Sequence, residues 1–319
     1  MVEDRTLIKR LNLICVWRRI RLGAICLGFA SVSIWAVQAE PQTGYIGYGP
    51  VIQDGVGAFI YEPMTPSAEV RPMVFLFGGS EGGYARGPLL PELIKRNMIV
   101  IEMAYFGFEG GPKHLTQIRL EAIESHIRTL SERYQGEMPC IGVVGVSKGA
   151  ELALLIATQS TAAQAYIAVV PTDVVWQASA VTLSRKSSWT RSGAPLPFVP
   201  YPWFSLNTIK AIRSTKQANA LHVQALKNKT AVRRAQIPIH KAAAPIFLQS
   251  GMFDQVWPST EMARNLINRA EAYDPAHRMT HTAYATDHFV MHDEQAIEDA
   301  LEFIEITLNS ECLTKSGSN

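Results

Sequence analysis

The chain has 319 residues, is 47% hydrophobic and 18% charged, and carries a formal net charge of +2. This composition excludes a disordered chain, a collagen-like repeat and a polytopic membrane protein, and the length allows one large domain or two modest ones. The small net charge argues against a nucleic-acid partner. Four cysteines without a Cys-x-x-Cys pair argue against a zinc site, so we expect no metal.

The first 39 residues have the pattern of an export signal. Six bases among the first 21 residues precede an uncharged segment, residues 22–37, and the small residues Val37 and Ala39 suit cleavage after Ala39. An uncleaved inner-membrane anchor formed by residues 22–37 is the alternative, although a spanning helix needs about 20 residues. We therefore predict a signal peptide at residues 1–39 and a single periplasmic or secreted domain at residues 40–319.

In chain order, the following segments alternate between strands and helices. Residues 44–62 are predicted to form a hairpin around the Asp54-Gly55 turn. Short apolar runs typical of buried strands follow at residues 72–77, 98–105, 140–146 and 165–170. The pattern resumes with a strand at residues 245–251, and a last strand is predicted at residues 279–285. Helical spacing of apolar residues predicts helices at residues 89–96, 115–134, 149–158, 259–271 and 294–307, before a frayed polar tail at residues 309–319. The alternation predicts an α/β fold, with a mostly parallel sheet covered by helices on both faces.

Residues 173–241 interrupt this alternation. They contain eleven Lys or Arg residues and one acid, Asp173, whereas the rest of residues 40–319 holds 13 bases and 25 acids. An insertion at the edge of the sheet where ligands bind is typical of a lid or cap. Cations beside a cleft attract anionic substrates, so we expect an anionic acyl donor. A solvated basic surface or a membrane-facing patch is the alternative.

Two Gly-x-Ser-x-Gly motifs occur, one around Ser80 and one around Ser147. Ser147 directly follows an apolar strand and a helix starts within two residues, which is the strand–turn–helix context of a nucleophile elbow. Ser80 also follows a strand, but a glycine-rich loop with prolines comes next instead of a helix. We therefore predict that Ser147 is the nucleophile.

A serine nucleophile needs a histidine base and a carboxylate that orients it, in the chain order Ser, acid, His. His288 lies just after the last predicted strand, where a loop can reach back over the sheet, and His292 is its main rival. Asp254 lies just after the strand that follows the insertion, and Asp173, after the fourth strand, is its rival. We predict Asp254 and His288.

The tetrahedral intermediate of acyl transfer requires two N–H donors. We predict the amide of Lys148, directly after the nucleophile, and that of Gly79 or Ser80 in the loop after the first buried strand. This loop lacks the Gly-Lys-Ser/Thr of a P-loop and the Gly-x-Gly-x-x-Gly of a dinucleotide site. We therefore expect no cofactor.

The chain resembles the C-terminal catalytic domain of type I acyl-CoA thioesterases and bile acid-CoA:amino acid N-acyltransferases. Four segments are similar, in the same order: residues 104–110, 145–154, 237–259 and 284–288. The resemblance implies an α/β-hydrolase fold, an acyl ester or thioester substrate, and the triad Ser147, Asp254 and His288.

This chain departs from the resembling family in two ways. The family's catalytic domain follows a β-sandwich, for which residues 40–71 leave no room, and the predicted signal places this protein outside the cytoplasm. The family's transferases carry cysteine as the nucleophile, so Ser147 favours hydrolysis through an acyl-serine intermediate. Acyl transfer to an amine or alcohol is the alternative function, and a non-catalytic binding protein is a third.

Cleavage after Ala39 would leave two cysteines, Cys140 and Cys312. Cys140 opens the strand before Ser147, and the last predicted helix runs back toward the same edge of the sheet. A disulfide between them and two unrelated thiols both fit the sequence.

Overall fold

The computed structural model describes residues 44–64, 71–135, 140–178, 185–202, 205–214 and 217–316. The predicted signal peptide lies outside these residues. The strands are β1 (Tyr45–Gln53), β2 (Val56–Pro63), β3 (Met73–Phe77), β4 (Ile99–Ala104), β5 (Ile118–Arg119), β6 (Ile141–Val146), β7 (Ala165–Val169), β8 (Trp189–Arg191), β9 (Ala194–Pro195), β10 (Ile246–Gly251) and β11 (Met279–Tyr284). The helices are α1 (Leu89–Lys95), α2 (Leu120–Gln135), α3 (Lys148–Ala157), α4 (Leu206–Arg213), α5 (Asn219–Ala225), α6 (Lys229–Ala235), α7 (Ser259–Tyr273) and α8 (Glu294–Ser316).

One eight-stranded sheet organises the fold, in the order β1-β2-β4-β3-β6-β7-β10-β11. The β1–β2 hairpin and its junction with β4 are antiparallel, and every pairing from β4 to β11 is parallel. Strands that are apolar on both faces require cover on both faces, and helices supply it here. The predicted α/β fold with a mostly parallel sheet is confirmed.

The strand β3 shows how one strand serves both sides of the sheet. Met73, Phe75 and Phe77 belong to a core that also includes side chains of α2, α3 and α7. Val74 and Leu76 point the other way, into a core shared with α1 and α8. The alternation of side chains along a strand therefore builds two apolar layers from one continuous apolar run.

The insertion between β7 and β10 carries β8, β9 and the helices α4, α5 and α6. It has its own small core, in which Trp176, Val199 and Leu221 are completely buried. Every described base of residues 173–241 is exposed except Arg191, which pairs with Glu124 of α2. The polar surface of the insertion is therefore cationic, while aromatic and aliphatic side chains hold its interior.

Two predicted elements have different bounds in the structure. The helix expected from residue 115 begins at Leu120, because Gln117 has a positive φ of 54° and Ile118 pairs instead with Trp189 of β8. The prediction of a frayed polar tail at residues 309–319 is wrong as far as Ser316, where α8 ends, and residues 317–319 lie outside the described residues.

A disulfide between Cys140 and Cys312 anchors the end of α8. Their Cα atoms are 5.8 Å apart and the two residues are 172 positions apart in the chain. Cys140 lies just before β6, at the edge of the sheet opposite the end of β6 that leads to Ser147. Arg278 adds an ion pair with Glu311, so the last turns of α8 are held from two directions. In the part of the chain that the structure describes, no helix has the length and apolar composition needed to cross a bilayer.

Candidate active site

Ser147 lies at the turn between β6 and α3, at the carboxyl edge of the parallel strands. Its φ of 57° and ψ of −115° lie outside the regions that residues with a Cβ prefer. Backbone bonds on both sides hold this conformation: Ser147 N donates to Val169 O at 3.0 Å, and Ser147 O accepts from Ala150 N at 2.9 Å. This strained strand–turn–helix geometry is that of a nucleophile elbow, which presents the serine Oγ above the sheet.

Two glycines make the turn sterically possible. A Cβ at Gly145 would lie 2.0 Å from the carbonyl oxygen of Gly149, and a Cβ at Gly149 would lie 2.3 Å from that of Phe77. Both contacts are with backbone atoms, so no side-chain rotation could relieve them. The pattern of small residues around Ser147 is therefore a consequence of close backbone packing at the elbow.

The structure brings Ser147, Asp254 and His288 together from three separate loops. His288 Nε2 is 2.9 Å from Ser147 Oγ, and His288 Nδ1 is 2.9 Å from each carboxylate oxygen of Asp254. Asp254 follows β10 and His288 follows β11, so all three residues lie at the same edge of the sheet. With the Nδ1 proton donated to the carboxylate, Nε2 is left to accept the Ser147 hydroxyl proton.

The two rival residues are engaged elsewhere. Asp173 is buried and its carboxylate accepts from the Arg269 guanidinium at 3.0 Å. His292 is exposed and stacks on Phe289, with 5.5 Å between the ring centroids. Neither of them occupies the position beside Ser147 that Asp254 and His288 share.

Trp257 supports this arrangement and was not singled out from the sequence. Its backbone N–H and that of Val256 donate to Asp254 Oδ1 at 3.2 and 2.8 Å. Its indole ring lies edge-to-face against His288 on one side and His222 on the other, with centroids 5.3 and 5.5 Å apart. Trp257 therefore orients both the carboxylate and the imidazole. The signal available in the sequence was only its position three residues after Asp254.

The predicted oxyanion donors lie around Ser147. Lys148 is the first residue of α3, so its amide has no intrahelical acceptor. Gly79 lies so close that a Cβ on it would be 3.1 Å from Ser147 Cβ. Its N–H donates to the carboxylate of Glu81 at 2.8 Å, while Ser80 is exposed. Of the two candidates in this loop, Gly79 is buried beside Ser147, and its amide is held by a carboxylate.

A buried ion pair begins at the residue that follows Ser147 in the chain. Lys148 Nζ is 2.7 Å from Glu151 Oε2, and both side chains are at most 5% exposed. The other oxygen of Glu151 accepts from the Trp189 indole N–H at 2.6 Å and from the Trp176 amide at 3.3 Å. Burial lowers the pKa of Lys148 and raises that of Glu151, and their mutual attraction opposes both shifts. In the sequence, Glu151 stood out only as the one acid of a mostly apolar helix.

Within the described residues, no group of three or more His, Cys, Asp or Glu side chains is arranged to hold a metal ion. The chemistry that the site offers is that of the hydroxyl, imidazole and carboxylate of the three assembled residues and of the backbone amides beside them.

A protein-family model described as "BAAT / Acyl-CoA thioester hydrolase C terminal" matches residues 118–291, which include all three assembled side chains. The chain belongs to this family. Membership confirms the resemblance inferred from the sequence.

Curated relatives of this BAAT and acyl-CoA thioester hydrolase family are similar to the chain. Mouse (Mus musculus) acyl-coenzyme A thioesterase 6 is 28% identical over 229 residues, which cover 70% of this chain and 49% of the relative. Mitochondrial acyl-coenzyme A thioesterase 2 of Rattus norvegicus is 24% identical over 224 residues, with 70% and 46% coverage. The chain thus spans about half the length of the curated relatives that it matches.

Solved structures with the same fold include hydrolases of several kinds. The Pyrococcus furiosus esterase Pf2001 superposes with a TM-score of 0.54 at 14% identity, covering 83% of this chain and 93% of the esterase. Acylaminoacyl peptidase of Pyrococcus horikoshii gives a TM-score of 0.54 at 15% identity, covering 83% of this chain and 41% of the peptidase. This member of the family therefore has the α/β-hydrolase fold.

Proposed function

We propose that the protein is a serine hydrolase that cleaves acyl esters or thioesters through an acyl-serine intermediate. The observation that carries this proposal is the continuous chain of contacts from Asp254 through His288 to Ser147 Oγ, at 2.9 Å for each step. Hydroxyl groups are poor nucleophiles unless a base removes the proton, and this chain of contacts supplies the base and its partner. The family and its thioesterase relatives support the same reaction class.

Acylation begins when Ser147 Oγ attacks the acyl carbonyl carbon and its proton passes to His288 Nε2. The carboxylate of Asp254 stabilises the imidazolium that forms. Collapse of the tetrahedral intermediate breaks the bond to the alcohol or thiol, and the proton on Nε2 leaves with it. Water then attacks the acyl-serine with His288 as base, which releases the carboxylic acid and restores the Ser147 hydroxyl.

The oxyanion of each tetrahedral intermediate would bind the amides of Lys148 and Gly79. Donors already directed at this position stabilise developing charge without reorganisation. The Gly79 amide is bonded to Glu81 in this structure, so the carboxylate has to rotate away as the substrate carbonyl enters. Glu81 is exposed, and nothing buried has to move with it.

Acyl-CoA thioesters are the substrate class that the relatives' names suggest, and acyl esters of other alcohols fit the same chemistry. The exposed bases of the insertion would attract an anionic acyl donor over about 8 Å at physiological salt. We therefore expect kcat/KM for an anionic donor to fall more steeply with salt than that for a neutral ester of equal chain length. Equal slopes would contradict a role of these bases in substrate attraction.

We further propose that the protein works outside the cytoplasm. The export pattern of residues 1–39 supports this, and so does the Cys140–Cys312 disulfide, because structural disulfides persist in oxidising compartments. An uncleaved signal would leave the same domain tethered to the inner membrane on its outer side. Mass spectrometry of the N-terminus after expression with the export signal distinguishes the two forms.

The proposed function is tested by labelling the active-site serine with a fluorophosphonate and by measuring turnover of acyl-CoA and p-nitrophenyl esters. Ser147→Ala should abolish both labelling and turnover with little change in thermal stability, because among the described residues the Ser147 hydroxyl makes one side-chain hydrogen bond, with His288. Ser80→Ala is the matched control from the second Gly-x-Ser-x-Gly motif and should keep both. Labelling that survives in Ser147→Ala and disappears in Ser80→Ala would reverse the assignment.

Product analysis separates hydrolysis from acyl transfer. The same reactions are run with and without an added amine or alcohol, and the acyl product is identified by mass. Free acid in both conditions supports the hydrolase. An amide or ester that replaces the acid when the acceptor is present would make the protein a transferase that uses the same triad.

A further inference from the structure

The cap helix α4 presents aliphatic side chains to solvent. Leu206, Ile209 and Ile212 are 76%, 48% and 51% exposed, and no residue of α4 is buried. Residues three apart share one side of a helix, so these three form a single apolar stripe. The helix is nevertheless well anchored, since Ser205 caps its first turn by accepting from the Thr208 amide.

This stripe belongs to an insertion whose exposed charges, among its described residues, are all positive. Lys210 and Arg213 are exposed on α4 itself, and the other described bases of residues 173–241 are exposed elsewhere in the insertion, apart from Arg191. Asp173, the one acid of the insertion, is buried against Arg269. Exposed apolar residues on a helix with bases and no acids are the pattern of an interfacial amphipathic helix.

The α4 helix is linked to the loops that carry the active site. Asn207 of α4 donates to Gln224 of α5 at 3.0 Å, and Asn219 at the start of α5 donates to the carbonyl oxygen of Asp254 at 2.9 Å. Met252 and Phe253, which precede Asp254 in the same loop, are 54% and 64% exposed. Apolar side chains are therefore exposed both on α4 and on the loop that carries Asp254, and α5 connects the two through these hydrogen bonds.

We propose that the α4 face, formed by Leu206, Ile209, Ile212, Lys210 and Arg213, docks the protein on an anionic lipid surface. Apolar side chains enter the interface and the bases contact the headgroups. Charge decides against a second copy of the chain, because two such faces would bring like charges together. The apolar stripe decides against a soluble anion alone, which would need the bases but not the exposed leucine and isoleucines.

Partition onto lipid vesicles tests the proposal with the form of the protein recovered after export. Wild type should bind vesicles that contain phosphatidylglycerol, bind phosphatidylcholine vesicles weakly, and dissociate as salt rises. The triple variant Leu206→Ser/Ile209→Ser/Ile212→Ser and the double variant Lys210→Glu/Arg213→Glu should each lower the partition coefficient at least about tenfold. Thermal unfolding like that of wild type shows that these variants are folded.

Matched controls carry the same chemical changes outside the insertion. Ile46, Met64 and Ile306 are each at least 50% exposed, so their triple serine variant removes comparable exposed apolar surface. Lys95→Glu reverses a charge at the end of α1. This end lies near the start of β4, at the edge of the sheet opposite the one that carries Ser147. These controls should bind phosphatidylglycerol vesicles as wild type does.

If residues 22–37 are retained, they would anchor every variant to the vesicles and partition would no longer report on α4. Hydrogen exchange measured at α4 itself covers that case. Hydrogen exchange of the α4 amides should slow at least about tenfold on phosphatidylglycerol vesicles and remain unchanged on phosphatidylcholine. Exchange in α4 that is identical on both lipids overturns the proposal. So does a wild-type dimer that the triple serine variant converts to a monomer, because the stripe would then be covered by a second copy. None of these readouts depends on hydrolysis, so they stand apart from the test of Ser147.

Discussion

The disulfide between Cys140 and Cys312 should make a large contribution to the stability of the protein. It links residues 172 positions apart, and the loss of chain entropy in an unfolded loop of that length corresponds to roughly 5 kcal/mol. A domain of this size loses about 2 °C in Tm per kcal/mol, so removing the bond should lower Tm by roughly 10 °C. The whole free energy of unfolding of a domain is typically about 5–15 kcal/mol, which makes this one bond a substantial fraction of it.

The assay is thermal and urea unfolding of wild type with and without a reductant, beside the Cys140→Ala/Cys312→Ala variant. Wild type should lose stability when reduced, and the variant should match reduced wild type and not respond to reductant. Alkylation of the unfolded, unreduced protein counts the free thiols by mass. Two alkylated thiols at Cys140 and Cys312 in the exported protein, or a stability loss under about 1 kcal/mol, would refute the reasoning.

Three further outcomes follow from buried or bonded charges. Asp254→Asn should lower kcat by about 10³-fold or more, because His288 loses its carboxylate partner. Asp173→Asn should mainly lower the free energy of unfolding, by about 3 kcal/mol, because it breaks a buried ion pair. If Asp173→Asn lowers kcat more than Asp254→Asn does, the catalytic carboxylate is Asp173 in the loop after β7. Glu81→Ala should speed fluorophosphonate labelling about threefold or more, because a predicted oxyanion donor loses its carboxylate; slower labelling would give the carboxylate an orienting role. Burial lowers the pKa of His126 and of His222 from 6.5 to about 4, so the unfolded chain binds more protons between these pH values. The free energy of unfolding should therefore fall as pH drops from 6.5 toward 4, by up to about 2.7 kcal/mol per pH unit. Urea unfolding measures this dependence, and the free energy of unfolding of His126→Gln/His222→Gln should change less with pH than that of wild type.

The parallel sheet was predictable because most of its strands are short apolar runs. Met73–Phe77 packs against a core on each face of the sheet, so each of its residues is apolar and the run is visible in the sequence. No pattern in the sequence indicates the pairing of Ile118 with Trp189. A two-residue strand has no periodicity, and its partner lies 71 positions away in an irregular insertion.

The candidate site was predictable to the extent that it depends on chain order. Ser147, Asp254 and His288 each follow a recognisable strand, and the topology of a parallel sheet places the ends of such strands at one edge. The contact of Glu81 with the Gly79 amide was not predictable, because it depends on one side-chain rotamer of an exposed residue. The disulfide was left open for a related reason: pairing depends on Cα atoms within about 7 Å, which sequence position alone does not determine.

The carboxylate of Glu151 has a consequence for the modularity of this architecture. With one oxygen it binds the ammonium group of Lys148, and with the other it accepts from the indole of Trp189 and the amide of Trp176 in the insertion between β7 and β10. An insertion grafted from a relative would leave this fully buried oxygen without donors unless the graft supplied an indole or equivalent N–H at the same place. Exchange of the insertion between relatives is thus restricted to donors and recipients that agree at this one junction. The residues that must be transferred together belong both to α3 and to the insertion.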